Sequence, residues 1–120
     1  YLANKAAELG IDNIKIINKD FMKEGTGLES DSADYTMLFN ILHVEEPVLL
    51  LREAWRILRT GGKAGIIHWN YSDDTPRGPS MDIRPTEKQC VEWLGEAGFK
   101  LHKGPVPLPP YHYGIVGVKI

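Results

Sequence analysis

Ala33-Asp34-Tyr35-Thr36-Met37-Leu38-Phe39-Asn40-Ile41-Leu42-His43-Val44-Glu45-Glu46-Pro47, with Leu51-Arg52-Glu53-Ala54-Trp55-Arg56-Ile57-Leu58-Arg59-Thr60-Gly61-Gly62-Lys63 shortly after it, is the stretch that decides the fold. Tyr35 to Phe39 is aromatic and apolar enough for a strand. Pro47 suits the first turn of a helix, where its missing N–H has no intrahelical partner to lose. Glu45 and Glu46 sit at the positive end of that helix, and Arg52, Arg56 and Arg59 lie toward its negative end. Val48, Leu51, Trp55 and Leu58 form its buried stripe. Gly61 and Gly62 predict its end. Ala64 to Trp69 then predicts a strand that is apolar at both Ile66 and Ile67, as in a central strand covered on both faces.

Upstream, Leu2, Ala6 and Leu9 share one helical face, which Gly10 closes. Ile14, Ile16 and Ile17 predict a short strand, and residues 22–33 a polar surface loop. Downstream, residues 70–85 carry Pro76, Gly78, Pro79 and Pro85 without periodicity. Loops of that length in a compact domain are usually functional or mobile. Thr86 and Gln89 have the spacing of a capping box, with Cys90, Leu94 and Ala97 facing inward and Gly98 as the stop. Lys100–Lys103 and Tyr113–Ile120 predict the last two strands, joined through Pro105, Pro107, Pro109 and Pro110. Strands that alternate with helices predict an α/β fold with a mostly parallel sheet. The last two strands have no helix between them and are expected to pair antiparallel.

The 120 residues fit a single domain, 1–120. Hydrophobic residues make up 42% and charged residues 25%, as in ordinary globular proteins. The net charge of −2 offers no basic footprint for nucleic acid or an anionic membrane. The longest wholly apolar run, Val48 to Leu51, is far too short to span a bilayer. Cys90 is the only cysteine, which excludes an internal disulfide and predicts a reducing, cytoplasmic setting. His43, His68, His102, His112 and Cys90 lack metal-ligand spacing, so no metal is expected.

The stretch from Asp34 to Asn70 resembles the class I S-adenosylmethionine-dependent methyltransferases, particularly the small-molecule group that includes ubiquinone-biosynthesis enzymes. In that family a strand ends at the cofactor pocket and an "LH" turn follows, here Leu42-His43. A helix of the form LxExxRxLxxGG, here Leu51 to Gly62, then leads into the next strand. The resemblance runs through the chain in order and implies a partial Rossmann-like methyltransferase sheet, the C-terminal portion of such a domain. It also implies S-adenosylmethionine as cofactor and a small molecule as methyl acceptor. Asp20, after the first strand, would take the adenine amine, and Phe21 would cover the ring. Asn40, after the second strand, would contact the cofactor from the other side. These positions agree with the general rule that open α/β sheets bind ligands beyond the carboxyl ends of their strands. His43 is the candidate base or substrate contact, against the plainer reading of a packed histidine. Trp69 and Tyr71 open the loop that the family uses for substrate, and Arg77 lies within it. Asp34 belongs to the opposite edge of the sheet and is expected to cap a turn.

The family's glycine-rich turn and ribose-binding acid have no place in this sequence, which enters the pattern after the second strand. Gly25-Thr26-Gly27 is no substitute, because no helix follows it. Pro109-Pro110-Tyr111 resembles the "PPY" of nucleic-acid amino-methyltransferases but stands in the wrong place in the chain. In the family's strand order, 3-2-1-4-5-7-6, the strand Tyr35–Phe39 would be left with an open edge. Such an edge invites pairing, and a homodimer through it is one expectation. The rival readings are a non-catalytic remnant or oligomerisation module without cofactor binding, and a nicotinamide-binding domain, whose pyrophosphate fingerprint is also absent.

Overall fold

The computed structural model describes residues 25–120. The expected helix 2–9, the strand 14–17, Asp20 and Phe21 lie outside the described residues. The elements run β1 (Ala33–Phe39), α1 (Pro47–Ile57), β2 (Leu58–Trp69), α2 (Glu87–Glu96), β3 (Lys100–Leu108) and β4 (His112–Val118). They form one mixed sheet in the order β1-β2-β4-β3. β1 and β2 are parallel, whereas β2 with β4 and β3 with β4 are antiparallel. This is the 4-5-7-6 half of the expected strand order, with the last two strands paired as expected.

α1 and α2 pack on one face of the sheet. Leu51 and Ala54 of α1 and Cys90 and Leu94 of α2 meet Leu38, Ala64, Ile66, Tyr113 and Ile115 from the strands. On the other face, Tyr35, Met37 and Phe39 of β1 are exposed. The period-2 alternation of side chains along β1 produces this division.

Two boundaries differ from the sequence expectation. The helix stops at Ile57, before Gly61, and β2 takes over at once, because Leu58 is already extended at φ −73 and ψ 142. The loop ahead of β1 supplies the stop: the amides of Asp31 and Ser32 donate to the carbonyls of Arg56 and Ile57, at 3.0 and 2.8 Å. Those are carbonyls the helix itself leaves unpaired. The segment Arg59–Gly62 then bulges, and the register jumps from Ala33↔Leu58 to Tyr35↔Lys63. Gly61 takes φ +86 there, which L side chains rarely adopt. The second difference is β3, which runs on through Pro105 and Pro107 to Leu108 rather than ending at Lys103. β3 is the outer strand, and an edge tolerates prolines; its register shifts between Leu101 and Lys103 and again before Val106.

The capping box forms as the spacing predicts. The Gln89 amide donates to Thr86 Oγ1 at 3.2 Å, and the Thr86 amide donates to Gln89 Oε1 at 2.9 Å. Asp34 does not cap a turn; its carboxylate pairs with Arg59 on the surface.

Glu53 ties the Gly25–Gly27 segment to α1. Its Oε2 accepts from the Thr26 amide and hydroxyl, both at 2.7 Å, and Arg56 donates to both carboxylate oxygens at 2.7 and 2.8 Å. The Arg56 guanidinium leads in holding the Glu53 carboxyl down at about 2, and the Thr26 donors add to it. A depressed carboxylate stabilises the fold above its ordinary value of 4.5, and that contribution is lost as pH falls through about 2. Glu53→Gln should therefore cost about 1–3 kcal/mol at neutral pH, the scale of a charge-assisted bond. Urea unfolding of wild type and variant should show that gap closing as pH drops below 4.5.

Candidate functional site

The parallel register of β1 and β2 brings both strands to a common carboxyl end, with Phe39 beside Ile67. The Asn40 amide continues the ladder by donating to the Ile67 carbonyl at 2.7 Å. Asn40 itself adopts φ +59, a left-handed turn that asparagine tolerates and most residues do not. The turn sends the chain back over the strand ends, burying Leu42 completely and leaving His43 half-buried. The Asn40 side-chain oxygen Oδ1 is buried and has no hydrogen-bond partner among the described residues.

His43 meets His68, the residue after Ile67 on β2. His43 Nδ1 lies 3.3 Å from His68 Nε2, with the two rings edge to face at 78°. His68 is fully buried, and Tyr113 of β4 stacks beside it at 6.4 Å. Burial pushes His68 down to about 4, and positive charge on His43 opposes its protonation further. The Tyr113 hydroxyl donates to the Pro85 carbonyl at 3.2 Å and lies 3.3 Å from Cys90 Sγ. With the hydroxyl proton so used, the thiol is the donor to Tyr113. Burial raises Cys90 to about 11 and raises Tyr113 as well, so both stay protonated at neutral pH and Cys90 is no nucleophile.

Arg84 organises the long loop. It is buried, and no carboxylate pairs with it among the described residues. Its guanidinium instead collects loop oxygens. Nη1 donates to the Asn70 and Ser72 carbonyls and to Thr75 Oγ1, at 3.0, 2.8 and 2.7 Å, and Nε and Nη2 donate to the Pro79 carbonyl at 3.1 and 2.7 Å. Gly78, at φ +115, lets the loop close over it, since a Cβ there would sit 2.8 Å from Arg84 Nη2. A cavity of about 240 Å³ opens between this loop and the Asn40 turn, lined by Leu42, His43, Glu45, Arg84, Gln89 and Trp93.

The structure thus brings Asn40 and His43 to one end of the sheet. Trp69 is drawn into an aromatic stack with His112, at 4.2 Å between ring centroids, and Tyr71 is exposed. Arg77 is exposed, and its carbonyl accepts from Thr75 Oγ1 at 2.8 Å. Sequence reasoning missed His68, Arg84 and Tyr113. His68 carried a signal, a polar residue at an inward-facing position of an apolar strand two residues after Ile66. Arg84 carried none, because its partners are backbone carbonyls.

No protein-family model matches the chain. One curated relative is the chloroplastic 2-methyl-6-phytyl-1,4-hydroquinone methyltransferase of Spinacia oleracea, 32% identical over 103 residues. The match covers 82% of this chain, and the chain spans 29% of that relative's length. Among solved structures, a SAM-dependent methyltransferase from Aquifex aeolicus superposes with a TM-score of 0.87 at 21% identity, over 100% of this chain and 62% of the other. The [4+2]-cyclase SpnF superposes with a TM-score of 0.71 at 24% identity, over 84% of this chain and 38% of the other. The chain therefore has the α/β fold of the class I SAM-dependent methyltransferases.

Replacing Arg84 by methionine should free the loop that its guanidinium gathers. Trypsin cleavage after the exposed Arg77 should accelerate about tenfold, equivalent to about 1.4 kcal/mol of lost local protection. Mass spectrometry of the first fragments checks this, and an unchanged rate at that bond would show that the loop holds without Arg84.

Proposed function

We propose that this chain is the C-terminal portion of a domain that transfers a methyl group from S-adenosylmethionine to a small-molecule acceptor. The observation that carries the reading is the polar end of the sheet: Asn40 in its left-handed turn, with a buried acceptor oxygen unpaired among the described residues, and three residues on His43, which meets His68 and lines the cavity. An unpaired buried acceptor costs stability unless a ligand brings a donor to it. A nucleoside or amino-acid portion brings such donors, so Asn40 fits the cofactor. The spinach relative supports the reaction class. Its name, which specifies a hydroquinone, also supports a small acceptor and a place near the ubiquinone-biosynthesis group. The fold alone would not suffice, since the same fold serves the cyclase SpnF.

S-adenosylmethionine, when bound, supplies a methyl group already activated on a sulfonium. The residues of this chain need only bind, orient and remove a proton where the acceptor's nucleophile carries one. Asn40 would hold the cofactor on one side, with Asp20 and Phe21 at the adenine. His43, on the cavity wall, would be the base or the acceptor contact. No helix among the described residues is long and apolar enough to cross a membrane. The acidic balance, the single buried thiol of Cys90 and the exposed Tyr35, Met37 and Phe39 of β1 support an acceptor other than nucleic acid, a reducing cytoplasmic setting and a homodimer through β1.

Calorimetric titration of S-adenosylhomocysteine into the chain tests the reading. One-site binding is expected where a second copy completes the pocket; its absence would make the chain a fragment or a remnant, with methyl transfer belonging only to a longer parent. Asn40→Gly, which preserves the positive φ and removes the amide, should weaken binding by about 1–3 kcal/mol, the scale of one lost buried hydrogen bond. Asp20→Ala should cost a similar amount.

A further inference from the structure

His68 is a full histidine buried at the end of an apolar strand, and its only polar contact of regular geometry among the described residues is His43. Two imidazole nitrogens 3.3 Å apart hold one proton between them, not two. The charged and titratable groups around His68 are His43 from the Asn40 turn, Arg84 from the segment before α2, and His112 and Tyr113 from β4. None of these is an anion at neutral pH, so nothing in that circle favours a charged His68.

We propose that His68 is a positioning residue: its Nε2 accepts from His43 Nδ1–H, which leaves the lone pair of His43 on Nε2, in a residue that lines the cavity. One requirement selects this direction of the bond over its reverse. Once His43 takes up a proton both of its nitrogens are donors, and only an accepting His68 Nε2 can face it. The same arrangement therefore serves His43 before and after proton uptake, with no ring flip. When an acceptor X–H is deprotonated, the X–H bond breaks, the N–H bond forms at His43 Nε2, and the electron pair stays on X. The base role, and with it the choice of tautomer, rests on the methyl-transfer reading; the contact between the two rings rests on the geometry.

The test is the nitrogen-15 chemical shifts of the His43 ring at a pH where it is neutral, in wild type and two variants. Wild type should show the Nδ1–H form. His68→Leu removes the acceptor, and His43 should revert to the Nε2–H form that free imidazole favours in water. His68→Gln keeps an acceptor oxygen near the same point and should restore the Nδ1–H form, a rescue that a merely space-filling His68 would not require. An Nε2–H form in wild type, or an unchanged tautomer in His68→Leu, would overturn the assignment. S-adenosylhomocysteine titration into the same proteins reports on the cofactor reading separately, so the two can fail independently.

Discussion

The parallel pairing of β1 with β2, held in register from Tyr35↔Lys63 to Phe39↔Ile67, is the constraint on which the site depends. It fixes the level at which both strands end. Asn40 leaves β1 while its amide still bonds to Ile67, so the turn begins one residue from His68 across the ladder. Side chains alternate along a strand, so a slip of one residue would turn Leu38 outward and carry the Asn40 turn away from His68. The slip is blocked at the other end, where the Arg59–Gly62 bulge absorbs the extra residues and the Asp31 and Ser32 amides close α1. The closing of a helix and the placing of a histidine pair are thus one event seen from two ends of the same strands.

Buried polar groups occur at both of those ends. Near the start of β2, Lys119 is buried yet fully engaged: its ammonium donates to Asp31 Oδ1 and the Leu58 carbonyl, both at 2.8 Å, and lies 4.0 Å from the Trp55 ring centre. The partly buried Glu53 and Arg56 are likewise engaged. At the strands' carboxyl ends, Asn40 Oδ1 and His68 Nδ1 are buried without partners among the described residues. Thr36 Oγ1 in mid-strand and Trp55 Nε1 on α1 share that condition, and the second already lies beneath a cation. Folding tolerates an orphaned polar group only where something else compensates. Asn40 Oδ1 and His68 Nδ1 are the two of these orphans that lie at the carboxyl end of β1 and β2.

Most of the fold was legible because it rests on local chemistry. Pro47, the Thr86–Gln89 box and the aliphatic runs of β1 and β2 each announce their element through a mechanism that acts within a few residues. The misreadings were tertiary. Leu58 has the spacing of a helical stripe, yet Ile57 is the last helical residue because a loop about 25 positions upstream takes the final carbonyls. Pro105 and Pro107 read as a connection because whether a proline sits on an outer edge is unknown until the sheet is assembled. The candidate site was half legible for the same reason. Asn40 and His43 follow a strand directly, where position alone suggests a role. His68 draws its meaning from a contact across the ladder, and Arg84 from backbone oxygens that no residue-type pattern encodes.

Arg84 is also why the loop at residues 70–85 is neither a free lid nor ordinary surface. A buried guanidinium with no carboxylate partner among the described residues has lost its hydration and recovers it from neutral dipoles. Carbonyls of Asn70, Ser72 and Pro79 and the Thr75 hydroxyl supply that recovery only when the loop is folded inward. The charge therefore selects one loop conformation, and it does so on the wall of the cavity that His43 also lines. The Tyr113 hydroxyl bonded to the Pro85 carbonyl holds the adjacent backbone from the sheet side, and the same ring stacks on His68. Loop shape and histidine placement are consequently set by neighbouring contacts on one tyrosine, so a change that opens the loop should also be felt at the histidine pair.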